Sequence, residues 1–305
     1  MNSIGKIVVF GGTGHYGRKI VQKLIAKEQS VRVLTRNTES AGKILGEKVE
    51  LIQGDVTNQE TIEASLKGVS CVIISLSAMK RNLIRKMKLI EHDAVLAIMD
   101  EAKKAKISRL IYLSGYDIRE DVLKKLKISE FGAVKLEIES KIKESDFNWT
   151  ILGLAPAMDI FFAFAKNGKM VVPGGGYKPI PSISSEDVGE IAAQTALRDD
   201  LAGKRIKLTG PEALSFPQVA ALISEVTAQE VKHSKIPLTA INIVSFLIKP
   251  FIPFVRYLYK SLKLLNNFPT ELTNQIPAEH AKLVALFDYQ PVTIVDEIKK
   301  YYKSE

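Results

Sequence analysis

The sequence predicts an α/β protein, a doubly wound parallel sheet with a small C-terminal lobe. Three observations predict it. Short β-branched runs alternate with helix-period segments through the first half of the chain. The runs are apolar almost throughout, as strands covered on both faces must be. The first run passes directly into a glycine-rich turn that opens an amphipathic segment.

The elements follow in order. Strands are expected at Lys6–Phe10, Val31–Thr35, Val49–Ile52, Val69–Ser75, Arg109–Ser114 and Asn148–Leu154. Helices are expected between them at Tyr16–Lys27, Thr61–Lys67, Leu89–Lys104 and Ala133–Glu144. Right-handed crossovers then wind the sheet in both directions. After Pro156 the pattern changes. A Gly/Pro-rich stretch from Gly168 to Pro181 reads as loop with short strands. A helix follows at Ser185–Leu197, with Ser184 and Ser185 as caps and Glu186 and Asp187 as first-turn acids. Then come a strand at Arg205–Thr209, a helix at Ser215–Thr227, an apolar region from Ile236 to Phe268 and a closing helix at about Thr293–Tyr302. The expected core is 1–155 with 183–209 and the closing helix, about 286–303. The expected lobe is 156–182 with 210–285.

Composition narrows the possible functions. The chain has 305 residues, a net charge of +9 and one cysteine, Cys71, so no intramolecular disulfide can form. Cys71 falls inside an apolar strand and reads as an inert core residue. The N-terminus enters a strand without a signal-like segment, and the expected location is cytoplasmic. Ile236–Leu258 is the most apolar stretch, but prolines and charges interrupt it, so no membrane span is expected. Core packing is the expected role of most of its side chains. Phe246, Phe251, Phe254, Tyr257 and Tyr259 are alternative walls of an apolar pocket. The stretch 236–268 could also meet a membrane or a protein partner. The basic runs at Lys80–Lys88, Lys103–Lys106 and Lys124–Lys127 lack interleaved aromatics. They read as solvated helix faces, with no nucleic acid as partner. The four histidines share no ligand spacing, so no metal is expected. A monomer or dimer is expected.

The glycine turn carries most of the functional information. Phe10-Gly11-Gly12-Thr13-Gly14-His15-Tyr16-Gly17 follows a clean strand and precedes a helix. That context fits a Rossmann dinucleotide site, with phosphates at the helix N-terminus. Gly11, Thr13, Gly14, His15, Tyr16 and Gly17 are the candidate contacts. A site for the unphosphorylated cofactor NAD ends the second strand with an acid that binds the ribose 2′-hydroxyl. Here the strand ends in Thr35-Arg36, and the nearest acid is Glu39. A guanidinium at Arg36 suits a 2′-phosphate, so NADP(H) is the expected cofactor, ahead of NAD(H). Thr35, Asn37 and Thr38 offer further polar contacts. Asp55 and Val56 follow the third strand, where Asp55 could accept from an adenine amino group or simply cap a turn. Ser75 and Ser77 end the fourth strand beside the expected cofactor path.

The chain resembles the NmrA-like atypical short-chain dehydrogenase/reductases. GGTGHYGRKIVQKLIAK, VRVLTRN, LIQGDVTNQETIEASLKGV, SRLIYLSGYD, KLEIESKIKESDFNWTIL, IPSISSEDVGEIAA and IKLTGPEALSFPQVAALIS carry the resemblance in family order. The tail LFDYQPVTIVDEIKKY resembles the family's closing helix. The resemblance implies an NAD(P)-binding core, a substrate lobe, and either a reductase of small carbonyl or quinone compounds or a non-catalytic redox-responsive regulator. It places Lys135 at the ribose-binding lysine and Ser114 at the substrate-oxygen serine. Phe131 stands where the wider superfamily has its catalytic tyrosine, and a phenyl ring cannot transfer a proton. Tyr116 is a candidate replacement phenol. The sixth strand continues Leu152-Gly153-Leu154-Ala155-Pro156 where the family has Leu-Arg-Pro, and the displaced Pro156 is grouped with the cofactor-binding residues. The expected function is an NADPH-dependent reductase of a small, largely apolar carbonyl or quinone. The alternative is an NADP(H)-sensing regulator, and a weaker one is a membrane-associated assembly factor.

Overall fold

A computed structural model describes residues 5–129, 132–248 and 251–303. The first half alternates as expected: β1 (Lys6–Phe10), α1 (Gly17–Ala26), β2 (Val31–Thr35), α2 (Thr38–Leu45), β3 (Val49–Gln53), α3 (Gln59–Leu66), β4 (Val69–Ile74), α4 (Ala94–Lys104), β5 (Arg109–Gly115), α5 (Glu120–Lys125), α6 (Ala133–Lys143) and β6 (Asn148–Leu154). The second half holds α7 (Asp159–Phe162), β7 (Ala165–Lys166), β8 (Lys169–Pro173), β9 (Ile180–Pro181), α8 (Ser185–Ala196), β10 (Lys204–Leu208), β11 (Ala213–Leu214), α9 (Phe216–Thr227), β12 (Lys232–Ile236), α10 (Leu238–Ile248), α11 (Pro253–Asn266), α12 (Thr270–Thr273), α13 (Ile276–Leu286) and α14 (Ile294–Lys303).

The central sheet has seven strands in the order β10-β6-β5-β4-β1-β2-β3. Its registers are parallel; Phe10 pairs with Leu34 on one side and Ile74 on the other. The order reverses between β1 and β4, and such a switch point leaves a crevice at the carboxyl ends of the strands. Strand alternation sends Leu110, Tyr112 and Ser114 of β5 to one face. There Leu110 and Tyr112 join a buried cluster with Val8, Phe10, Ile74 and Ile138.

Two differences from the expected elements have local causes. The helix α2 was not expected, because it has only eight residues and includes Gly42. It forms because the Asn37 side chain caps it, accepting from the Ser40 N–H at 2.8 Å. The expected helix Leu89–Lys104 divides: Leu89–Asp93 is a π-turn, and α4 begins at Ala94. Single π-turns inside helices often mark functional sites.

By compactness the described chain groups into two units. The first comprises 1–115, 133–154 and 188–207 and contains the central sheet apart from the end of β10. Arg109, buried in it, donates to the carbonyls of Asn148, Thr195 and Arg198 and ties β5 to the starts and ends of neighbouring elements. Cys71 is buried there too, and burial pushes its thiol up to about 12.

The second unit comprises 116–132, 155–187 and 208–305, so segment 116–132 and the closing helix group with it. The stretch expected to be loop with short strands contributes β8, the middle strand of the β12-β8-β7 sheet. The helix α9 starts with a reciprocal box: Gln218 N–H donates to Ser215 Oγ, and Ser215 N–H donates to Gln218 Oε1. Phe161 and Phe164 pack edge-on against Phe216. The apolar region 236–268 supplies α10 and α11: Leu262 and Phe268 are buried as core, many of its described side chains are half-buried, and Ile243, Val244, Phe246, Leu247 and Phe251 are exposed. Phe246 and Phe251 are exposed, so neither lines a closed pocket.

Candidate cofactor and active site

The glycine turn owes its shape to two residues. Gly11 adopts φ +84°, and a Cβ there would strike the Ser75 carbonyl. A Cβ on Gly17 would strike the Gly11 carbonyl, so this glycine lets α1 begin against the turn. Gly14 N–H donates back to Gly11 O at 2.9 Å and closes the loop. The Gly12 position packs on Val33 and Val21, a structural role that the sequence pattern did not single out. His15 and Tyr16 meet edge to face, their ring centroids 4.9 Å apart. The first turn of α1 has no acidic residue, and Tyr16 at its N-cap makes no side-chain cap hydrogen bond. The positive end of the helix dipole therefore faces the turn without a competing carboxylate.

The two arginines of the second strand region have different duties. Arg32 is buried and donates to the Ser65 and Lys67 carbonyls and to Glu50 at 2.8 Å. Arg36 lies one residue beyond β2, exposed, and among the described residues its guanidinium has no partner. Glu39, the nearest acid, is paired with Lys43 at 2.7 Å. Asn37 spends its carbonyl oxygen on the α2 cap, and Thr35 Oγ1 bonds the Asn37 backbone.

The remaining candidates lie on the same carboxyl edge. Asp55 Oδ1 accepts from the Thr57 N–H and hydroxyl, both at 2.9 Å, a local turn-capping arrangement. Val56 packs partly against the core cluster. Ser75 N–H donates to the Phe10 carbonyl at 2.9 Å, which seats the end of β4 beside the turn. Ser77 is exposed and accepts from the Met79 N–H.

Lys135, on α6, is the centre of a second cluster. Its Nζ lies 3.5 Å from Glu91 Oε2 and 5.5 Å from the centroid of the Tyr112 ring. Glu91 sits in the π-turn and is buried, and its other oxygen accepts from the Ala78 N–H at 2.6 Å. Burial opposes the Lys135 ammonium, but the Tyr112 phenol and the Glu91 carboxylate outweigh it, and the pKa is raised. Burial raises the Tyr112 phenol against the pull of Lys135.

Ser114 is buried near Glu139, whose carboxyl belongs to a third arrangement. Arg205 binds Glu139 through two nitrogens, at 2.8 and 3.1 Å, and donates to Gly115 O at 2.8 Å. Burial would raise Glu139, yet Arg205 holds its carboxyl below the usual range. No hydrogen bond of ordinary geometry reaches Ser114 Oγ itself among the described residues.

Sequence reasoning placed Ser114 and Lys135 in one site and proposed Tyr116 as the phenol. The structure brings Lys135 to Tyr112, which sequence reasoning missed. The signal was available: residues 112 and 114 of a strand share a face, and α6 covers that face. Tyr116 belongs to the second unit, where burial and the carboxylates of Glu279 and Asp117 raise its pKa far above the ordinary phenol range. Pro156 is also in that unit, and its carbonyl accepts from the Ile183 N–H at 3.0 Å. Phe131 lies outside the described residues. Among the described residues no His, Cys, Asp and Glu group could hold a metal ion.

A glycine turn at the switch point of a doubly wound sheet defines the class, a Rossmann-type α/β protein. Within that class the chain belongs to the NmrA-like family, whose sequence profile matches residues 3–294. It is 23% identical to the photosystem II assembly factor Ycf39 of Trieres chinensis over 78% of this chain and 74% of that protein. It is 24% identical to the NAD(P)H azoreductase of Xenophilus azovorans over 76% of this chain and 77% of that one. The fold matches the NADPH-dependent quinone oxidoreductase QOR2 of Escherichia coli complexed with NADPH, with a TM-score of 0.74. Identity there is 17%, over 97% of this chain and 99% of that one.

Proposed function

We propose that this protein is an NADPH-dependent reductase of a small, largely apolar carbonyl or quinone compound. The observation that carries the cofactor is the unpartnered Arg36 guanidinium beside a glycine turn with no acid at the strand end. The residues fit the group. Gly11 and Gly17 permit the tight turn that would bring a pyrophosphate to the N-terminus of α1, and Arg36 would hold the 2′-phosphate. Thr13, His15, Tyr16, Asp55, Val56, Ser75 and Ser77 would border the nucleotide. The quinone oxidoreductase and azoreductase relatives support the reaction class. NADPH supplies a hydride when bound.

Lys135 does the remaining work on the protein side. Its side chain is 22% exposed, so it is the member of its cluster able to touch a ligand. Tyr112 and Glu91 are buried behind it and act through it. They fix the ammonium in place and keep it protonated, so Lys135 serves as a donor to ribose hydroxyls and to oxygen that gains negative charge. Ser114 is buried beside the same strand end and helps to shape that position.

Titration calorimetry with NADPH, NADP, NADH and NAD, repeated on Arg36→Ala, tests the cofactor. Submicromolar affinity for NADPH is expected. Its loss by tenfold or more in the variant, with NADH binding changed little, is the predicted signature. Turnover with a panel of quinones and aryl carbonyls, lost in Lys135→Ala, tests the reaction. Tight NADPH binding with no turnover across the panel would instead support a sensing regulator.

A further inference from the structure

We propose that α10 and α11 form a membrane-docking hairpin that seats on an anionic lipid surface. The sequence of the hairpin is unusual in two respects at once. Residues 231–270 contain six lysine and arginine residues and no aspartate or glutamate. Within the same forty positions, α10 is LTAINIVSFLI, a helix without a charged side chain.

The structure separates a fixed base from an exposed tip, all within the second unit. At the base, Asn266 donates to the Pro173 carbonyl and accepts from the Gly176 N–H. Lys263 donates to the Leu126 carbonyl at 2.6 Å, and Leu262 is buried. Midway, Arg256 donates to Asn242 at 2.7 Å and locks the two helices together. At the tip, Phe251 is 80% exposed, Phe246 70% and Leu247 65%. Ile243 and Val244 continue the exposed face along α10. Exposed large apolar side chains gathered in one place mark an interaction site.

Charge selects the occupant. A second copy would bring the same patch against itself across a two-fold axis, and two acid-free basic hairpins would then repel. An anionic lipid surface reverses that sign. Apolar tip residues enter the headgroup boundary, and the net positive charge of the acid-free stretch is drawn to the lipid phosphates. Tyr257 and Tyr259 stand on α11 behind the tip, a residue type that favours the interfacial zone. The hairpin cannot cross the bilayer. The 11 residues of α10 rise about 16 Å, against about 30 Å of hydrocarbon. No described helix is long and apolar enough to span.

Vesicle flotation of the full chain tests the proposal. The probes are phosphatidylcholine vesicles with and without one third phosphatidylglycerol, at low and high salt. Binding at least tenfold tighter to the anionic vesicles at low salt is expected, weakened by high salt. Phe246→Ser with Phe251→Ser should reduce it at least tenfold. These side chains are exposed, so circular dichroism and NADPH affinity should stay as in the parent. Absence of binding to anionic vesicles, or binding that survives Phe246→Ser with Phe251→Ser, would overturn the proposal. So would a concentration-dependent dimer in sedimentation that those same substitutions abolish, since a second copy would then cover the tip. Capture of an acidic protein by the tip, with no lipid binding, would overturn it as well.

Discussion

Lys135 owes its protonation to two neighbours, and this sets what substitutions there must do. An amine on a covered helix face loses hydration, which alone would lower its pKa. Tyr112 and Glu91 reverse that sign. Because the folded pKa is raised, the contribution of this cluster to stability is complete below the unfolded lysine value of about 10.4 and is lost as pH rises through the folded value. The same logic governs activity if the ammonium is the working form. Tyr112→Phe removes a hydroxyl and leaves the ring in the core, so global stability should change by no more than about 1 kcal/mol. The alkaline limb of the kcat profile should nevertheless move to lower pH. Glu91→Gln should move it the same way. A profile unchanged in both variants would remove Tyr112 and Glu91 from the site. Arg36 shows the complementary lesson. Its candidate role was legible because the strand end carries no acid, and the structure adds the contrast with Arg32, which is buried and bonded to the Ser65 and Lys67 carbonyls and to Glu50.

At the scale of elements, the junction of β5, α6 and β10 rests on Glu139 and Arg205. Glu139 is almost fully covered, whereas Arg205 keeps 21% of its side chain exposed. The pair therefore lies between the surface and buried regimes, and Glu139→Gln should cost about 2 kcal/mol at neutral pH. The carboxyl is held below its ordinary range, so its stabilisation is present above the unfolded value near 4.3. It is lost as pH falls through the folded value. Urea titrations from pH 7 downward should show the parent and Glu139→Gln converging below about pH 4. Parallel curves would mean that the pair contributes no pH-dependent stability. The sequence made the strands on either side of this junction legible, because apolar β-branched runs between turn residues have few alternatives. Asn148–Leu154 is reproduced at both ends. The π-turn was not legible. Its period matches a helix, and what distinguishes it is tertiary: it brings Glu91 to the Ala78 N–H and to Lys135. The helix α10 was legible as apolar, but which of its side chains are exposed was not, since hydropathy alone cannot say which side of a helix finds a partner.

At the scale of the whole molecule, the chain passes between its two units five times, after residues 115, 132, 154, 187 and 207. Two of these passages fall inside regular elements. The helix α8 has Ser185–Asp187 in the second unit and continues into the first, and β10 gives its last residue to the second. Neither unit is a continuous stretch that could unwind from one end while the other keeps its fold. Melting α8 would remove an element from both. Two of the crossings run through hydrogen-bonded helix and strand rather than through a Gly/Pro-rich linker. This continuity predicts one cooperative unfolding transition. NADPH at a hundred times its dissociation constant would stabilise the folded chain by about 2.7 kcal/mol. For a chain of this size that is a rise of about 4 °C in Tm. Scanning calorimetry should show a single peak that moves as a whole with NADPH and moves no more than about half as far with Arg36→Ala at the same concentration. Two peaks, only one of which follows the nucleotide, would mean that the units melt separately and that the crossings do not couple them.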